Sequence, residues 1–229
     1  MLWLCARRLP STQRNQVWLC VVIATGFEVL GSIVIGFYRY RLHNVPLYAP
    51  PGHGLVYLFG VTAAATPIVR RHARTVELLA LAACSTWAVA GLTVLPLASG
   101  RLDLQGALCL PFFAGFLLFS RRGSMFAAIF LITAVVELVG TAAGDWAWLP
   151  VAPISHLTSG NPPSAMAAGY CVIDSSIAAV TLALSRLGSL QLSRVRRRST
   201  SHLRPAVAGV RLPEPGARSA RACAGTTLE

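Results

Sequence analysis

Residues 17–38 read VWLCVVIATGFEVLGSIVIGFY, an apolar run interrupted by a single charged residue, Glu28. A membrane-crossing helix needs about 20 predominantly apolar residues to traverse a hydrocarbon core about 30 Å thick. This run is long enough, and an acid inside it is a costly placement that asks for a reason. Working outward, five further stretches read the same way: Gly54–Val69, Val76–Ala98, Leu104–Ser120, Ser124–Gly144 and Ala165–Leu187. The second and fourth spans are short, and the fourth carries Pro111 near its start, a position for a helix kink.

Composition agrees. The 229 residues are 55% hydrophobic and 12% charged, with a mean hydropathy of +0.60. Soluble domains carry roughly 25% charged residues. These values exclude a soluble globular enzyme, a disordered chain and a disulfide-stapled secreted domain. Every strongly basic residue is arginine, and the formal net charge is +12.

The arginines predict an orientation. Basic residues collect in short cytoplasmic loops. Arg7, Arg8 and Arg14 precede the first span; Arg70, Arg71 and Arg74 follow the second; Arg121 and Arg122 follow the fourth; the Arg194–Arg198 run follows the sixth. The other side holds only Arg39, Arg41 and Arg101. The expected fold is therefore an all-α polytopic helix bundle in the plasma membrane, with six spans and both termini cytoplasmic. Residues 1–16 form a cytoplasmic segment, 17–187 the membrane domain, and 188–229 a basic tail expected to lack regular structure. The first span reads as a retained helix rather than a cleaved signal peptide, being long, acidic at Glu28 and without a small-residue cleavage site. The basic run has no accompanying aromatic or RNA-binding motif, so its expected partners are anionic lipid headgroups and not nucleic acid.

A partial repeat carries the functional argument. The first span holds Glu28-Val29-Leu30-Gly31-Ser32, then Gly36 and the aromatics Phe37, Tyr38 and Tyr40. The fifth holds Glu137-Leu138-Val139-Gly140-Thr141, then Gly144, Trp146 and Trp148. A Pro-Pro pair follows each, Pro50-Pro51 and Pro162-Pro163, and each pair opens a span with an early tyrosine, Tyr57 or Tyr170. Three spans separate the first helix of each copy, so helices 1–2 and 5–6 are expected to form a parallel repeat about an axis along the membrane normal.

On a helix, i and i+3 or i+4 share a face. Gly31 is thus expected to let another backbone approach beside Glu28, with Ser32 as a hydroxyl partner; Gly140 and Thr141 stand likewise to Glu137. Both glutamates should lie at or just beyond the midplane, with Asp174 of the sixth span at comparable depth. Buried ionisable groups cost about 2.5–3.5 kcal/mol each on insertion scales and face the bundle interior. Glu28, Glu137 and Asp174 are therefore the candidate catalytic acids, with His53 at the mouth of the second span as an alternative acid. Ser32, Tyr57, Thr141, Trp146, Asn161 and Tyr170 are the candidate substrate contacts. His43, His53 and His156 lack metal-ligand spacing, so no metal or other cofactor is expected.

The segment Glu137-x-x-Gly140-x-x-x-Gly144-x-Trp146-x-Trp148 resembles, over residues 137–148 alone, a stretch of membrane carotenoid hydratases, in which a Glu precedes spaced glycines and aromatics late in a helix. The resemblance implies that membrane carboxyls acting on an apolar substrate are a chemistry compatible with such a motif.

Three functions fit these features. The first is an enzyme or binding protein for a lipid-like small molecule, with a cavity open toward the outer leaflet between the first, second, fifth and sixth spans. There Glu28 and Glu137 serve as general acid and base, since a neutral carboxyl donates a proton while a neighbouring carboxylate accepts one, and Asp174 orients one of them. The second is a small proton- or cation-coupled transporter. The third is a structural assembly subunit in which the acids only join helices.

Overall fold

The computed structural model describes the backbone of residues 1–202 and the side chains of residues 1–187 apart from that of Ala167. In chain order the elements are α1 (Leu2–Ala6), α2 (Ser11–Val29) continued by a π-helical turn (Leu30–Ile35), β1 (Tyr38–Tyr40), α3 (Ala49–Ala65), α4 (Pro67–Arg71), α5 (Ala73–Thr93), α6 (Leu95–Ser99), α7 (Leu104–Phe119), α8 (Gly123–Ala142), β2 (Trp146–Trp148) and α9 (Ala167–His202). The chain divides into two compact units, Met1–Leu184 and Ser185–Glu229. Residues 188–202, expected to lack regular structure, are helical, and residues 203–229 lie outside the described part.

Four helical segments are long and apolar enough to cross a membrane: Ser11–Ile35, Ala73–Thr93, Gly123–Ala142 and Ala168–Leu187. They suit a multi-pass membrane protein. The expected second and fourth spans are also helical, but α3 has 17 residues and α7 has 16. At 1.5 Å per residue each covers about 25 Å, less than a full hydrocarbon core.

Proline and glycine set several ends. Pro67 forces Thr66 into the extended region, so α3 stops at Ala65 and a short helix restarts. Pro96 lies in the first turn of the short helix α6, which follows α5 after Val94 alone, so the expected third span to Ala98 breaks after Thr93. Gly36, with φ of +78°, ends the first long helix before Tyr38, and Gly144, with φ of +72°, turns the chain after α8. Each glycine is followed by a short strand.

Helix α3 packs on both α2 and α8, while α5 and α7 pack on each other and on α8. The core around α8 is built from Phe113, Leu117, Ile129, Phe130 and Ile177, all fully buried. Gly60 lies against Ile129 and Met125, so α3 approaches α8 where a larger residue would collide. Outward-facing Val22, Val34, Leu79, Phe112 and Phe119 leave large apolar side chains exposed, the surface that lipid tails tolerate and water does not.

Strands β1 and β2 form an antiparallel ribbon with Tyr38 opposite Trp148, Arg39 opposite Ala147 and Tyr40 opposite Trp146. Alternation along a strand puts Tyr38 and Tyr40 on one face and Arg39 on the other. The ribbon is held at its edges: Arg101 donates to the Trp148 carbonyl at 2.9 Å, and the Trp148 amide donates to Asn161 Oδ1 at 2.8 Å.

Asp103 fixes the loop behind the ribbon. It caps α7 by accepting from the Gly106 amide at 3.1 Å. The same carboxylate accepts from the amides of Gly160 at 3.0 Å and Ser164 at 2.7 Å. One buried acid thereby ties the start of α7 to the segment that carries Asn161.

Candidate functional site

Glu28 lies seven residues before the end of the first long helix at Ile35, about 10 Å from its ribbon end by helical rise. Glu137 lies five residues before Ala142, about 7.5 Å from the same kind of end. Both lie on the ribbon side of the middle of their helices, each by about five residues.

The ribbon supplies their partners. Glu28 Oε1 accepts from the hydroxyls of Tyr38 and Tyr40, each at 2.6 Å. Its Oε2 lies 2.8 Å from His53 Nε2, on the first turn of α3. Distances of 2.6 Å belong to charge-assisted O–H···O bonds. Burial and the Glu28 carboxylate hold the Tyr38 and Tyr40 hydroxyls well above the ordinary phenol range, so both stay protonated and donate. Glu137 Oε2 accepts from the indole nitrogens of Trp146 at 2.9 Å and Trp148 at 3.0 Å.

The two arrangements match step by step. In each, a glutamate receives two aromatic donors spaced i and i+2 on the strand that follows its helix. In each, the hydroxyl after the motif glycine bonds back to the glutamate's own backbone carbonyl at 2.7 Å, from Ser32 in one and Thr141 in the other. The carbonyl of the motif glycine caps the turn: Gly31 accepts from the Phe37 amide and Gly140 from the Asp145 amide. From Glu28 to Tyr38 is one residue more than from Glu137 to Trp146, and the first copy alone contains a π-helical turn. A π turn accommodates one extra residue in a helix, so the insertion is absorbed before the strand begins.

Both carboxylates line one cavity of about 820 Å³. Its polar rim is formed by Glu28, Glu137, His53 and Tyr170 under the rings of the ribbon, and the rest of its wall is mostly apolar, including Phe27, Phe59, Ile132 and Ile173. The walls come from α2, α3, α8 and α9, the helices expected to surround it. His53 and Tyr170 face each other with ring centroids 5.9 Å apart.

Of the residues singled out from sequence, Glu28, Glu137, His53, Trp146 and Tyr170 line this cavity; the others do not. Asp174 is buried elsewhere in the bundle and hydrogen-bonds neither glutamate, and its Oδ2 has no partner among the described residues, so it does not orient them. Tyr57 is buried on another face of α3, 3.5 Å from Gln16 Oε1. Ser32 and Thr141 spend their hydroxyls on backbone carbonyls rather than on the carboxyls, and Ser32 lines a separate pocket of about 160 Å³. Asn161 holds the Trp148 backbone and makes no cavity contact.

The motif glycines also differ from expectation. They admit rings rather than a second backbone: a Cβ on Gly140 would fall inside the Trp146 indole, and one on Gly31 would stand 3.4 Å from the Tyr38 ring. Tyr38, Tyr40 and Trp148 were not among the candidate site residues, yet each donates to a glutamate. The signal for them was the Tyr-x-Tyr and Trp-x-Trp spacing, which a strand turns into two donors on one face.

Compared with known proteins, the chain matches no family model, no curated protein and no solved structure.

Proposed function

We propose that this is an integral protein of the plasma membrane whose cavity takes up a lipid-like, apolar molecule and exchanges protons with its polar end. The observation that carries the reading is the pair of glutamates on the polar rim of one otherwise largely apolar cavity. Pockets of roughly 300–1,000 Å³ with few convergent polar groups are the usual form of a small-molecule site.

In this reading the chain crosses the membrane six times, with both termini cytoplasmic. The support is the collection of arginines at the α3–α5 and α7–α8 connections and before α2, while the ribbon joins the opposite ends of α2 and α8. The cavity then faces the outer leaflet. The matched turns, back-bonded hydroxyls and paired donors support a parallel repeat of helices 1–2 and 5–6. An antiparallel ribbon is itself related by a two-fold axis perpendicular to its plane, the relation such a repeat requires. The likeness stops at the tyrosines, since Tyr170 lines the cavity and Tyr57 does not.

Glu28 Oε2 and His53 Nε2 are hydrogen-bonded at 2.8 Å, while the two phenols occupy Oε1. That pairing fixes the imidazole and leaves Nδ1 as its second proton-exchanging atom. Glu137 presents the other carboxyl from the far wall. An acid and a base held on opposite sides of one substrate are the elements of general acid/base chemistry.

The test is genetic and chemical. Glu28→Gln and Glu137→Gln proteins that insert normally should fail to restore the extracted lipid profile of a deletion strain. Full restoration by both ends this reading.

A further inference from the structure

The partners left over inside the cavity indicate what the ligand's polar end carries. Glu28 is saturated, with two phenol donors on one oxygen and His53 on the other. Glu137 is not: both indoles donate to Oε2, and Oε1 makes no hydrogen bond among the described residues. The Tyr170 hydroxyl, also on the cavity wall, likewise makes none. No arginine lines the cavity.

We infer that the site is built for a neutral apolar molecule ending in a hydroxyl group, one that donates to Glu137 Oε1 and accepts from the Tyr170 hydroxyl. This rests on the reading of the cavity as a lipid-like binding site and adds the class of its polar end. The hydrogen-bond inventory decides between headgroups. A hydroxyl has one donor and free lone pairs, which answers one vacant acceptor and one vacant donor. A phosphate or carboxylate has acceptors alone in its ionised form, leaves Oε1 unanswered and adds negative charge beside two carboxyls with no arginine to offset it. An ammonium has three donors and no acceptor, so two donors stay unpaired in an apolar cavity and the Tyr170 proton finds no lone pair. The apolar remainder would enter from the side, because Phe27, Leu30, Phe59 and Val136 line the cavity and are also exposed on the bundle surface.

The full-length protein in neutral-lipid nanodiscs, with Trp3, Trp18 and Trp87 changed to Phe, reports through Trp146 and Trp148 alone. Titration with dodecanol, dodecylamine and dodecyl phosphate then compares three headgroups on one chain. Dodecanol should shift the indole emission and bind at least about tenfold more tightly than either other probe, the ratio expected for one well-formed hydrogen bond. Tyr170→Phe should weaken dodecanol by about tenfold while leaving thermal unfolding unchanged. Equal or tighter binding of the phosphate or the amine overturns the hydroxyl assignment but keeps the cavity reading. So does an unaltered dodecanol affinity in Tyr170→Phe. If no probe changes the emission, the cavity takes no amphiphile, and the proposed function falls with the inference.

Discussion

Two carboxylates with the same local scaffold have been given different surroundings. Glu28 is held by two tyrosines that donate and by a histidine, whose ring nitrogens can donate or accept; Glu137 is held by two tryptophans, whose indole N–H groups only donate. The first carboxylate has no oxygen free, and the second keeps Oε1 open to the cavity. A shared frame of helix, glycine, turn and strand thus fixes where an acid stands, while the aromatic choice decides what it can do there. In the proposed reading, one glutamate is fully paired within the protein and the other is left to receive the ligand.

The largest contrast should come from deleting each acid. Glu28→Leu strands two hydroxyls and an imidazole, and Glu137→Leu strands two indoles. With about 1–3 kcal/mol for each buried donor left unpaired, Glu28→Leu should destabilise by about 3–5 kcal/mol and Glu137→Leu by about 2–3 kcal/mol. Thermal unfolding in detergent reads the order, and a reversed order would mean that Glu28 is not the better-bonded acid.

The motif glycines separate the copies next. Gly140→Ala places a methyl group inside the Trp146 ring and should cost about 1–3 kcal/mol through displaced packing. Gly31→Ala meets the Tyr38 ring at 3.4 Å, an ordinary contact, and should stay within about 0.5 kcal/mol of the parent protein. Equal effects on unfolding temperature would sink the idea that the two rings sit differently on their glycines.

Single donors come third. Tyr38→Phe removes a bond of 2.6 Å to one carboxylate and Trp148→Phe a bond of 3.0 Å to the other; each should cost about 1.5–3 kcal/mol, with Tyr38→Phe the larger. Smallest is Asn161→Ala, which frees the Trp148 amide at the ribbon edge. It should cost about 0.5–1.5 kcal/mol and redshift the Trp148 emission as that indole gains water. No spectral change would show that Arg101 alone keeps Trp148 in place.

Much of this was readable from the chain. The apolar runs located the main helices, though Pro67, Pro96 and Gly36 cut three of them short, α2 and α3 begin five or six residues earlier, and α9 runs on to His202. The order Glu, Gly, hydroxyl, Gly, aromatics identified both halves of the site. His53 was singled out because Pro50, Pro51, Gly52 and Gly54 fix it at the start of α3, and it is the residue found on Glu28. Asp103 was not singled out from the sequence, although an acid before an apolar run is the mark of a helix cap; its reach to Gly160 and Ser164 had no local signal. Tyr57 and Tyr170 looked equivalent because each follows a Pro-Pro pair. Asp174 looked equivalent to the glutamates because it lies in an apolar run.

By itself, then, the sequence determined which apolar segments are helical, where the scarce acids fall along them, and that two acids share a pattern. These are local properties, fixed by hydropathy, by the backbone limits of proline and glycine, and by spacing along a helix. Only the tertiary structure decided which acid meets tyrosine and which meets tryptophan, that Asp174 stands apart, and that Tyr57 turns away from the cavity. The reason is that helices apolar on every side carry no polar stripe to mark which face looks inward. Their facing is set instead by contacts between segments far apart in the chain, above all the pairing of Tyr38–Tyr40 with Trp146–Trp148.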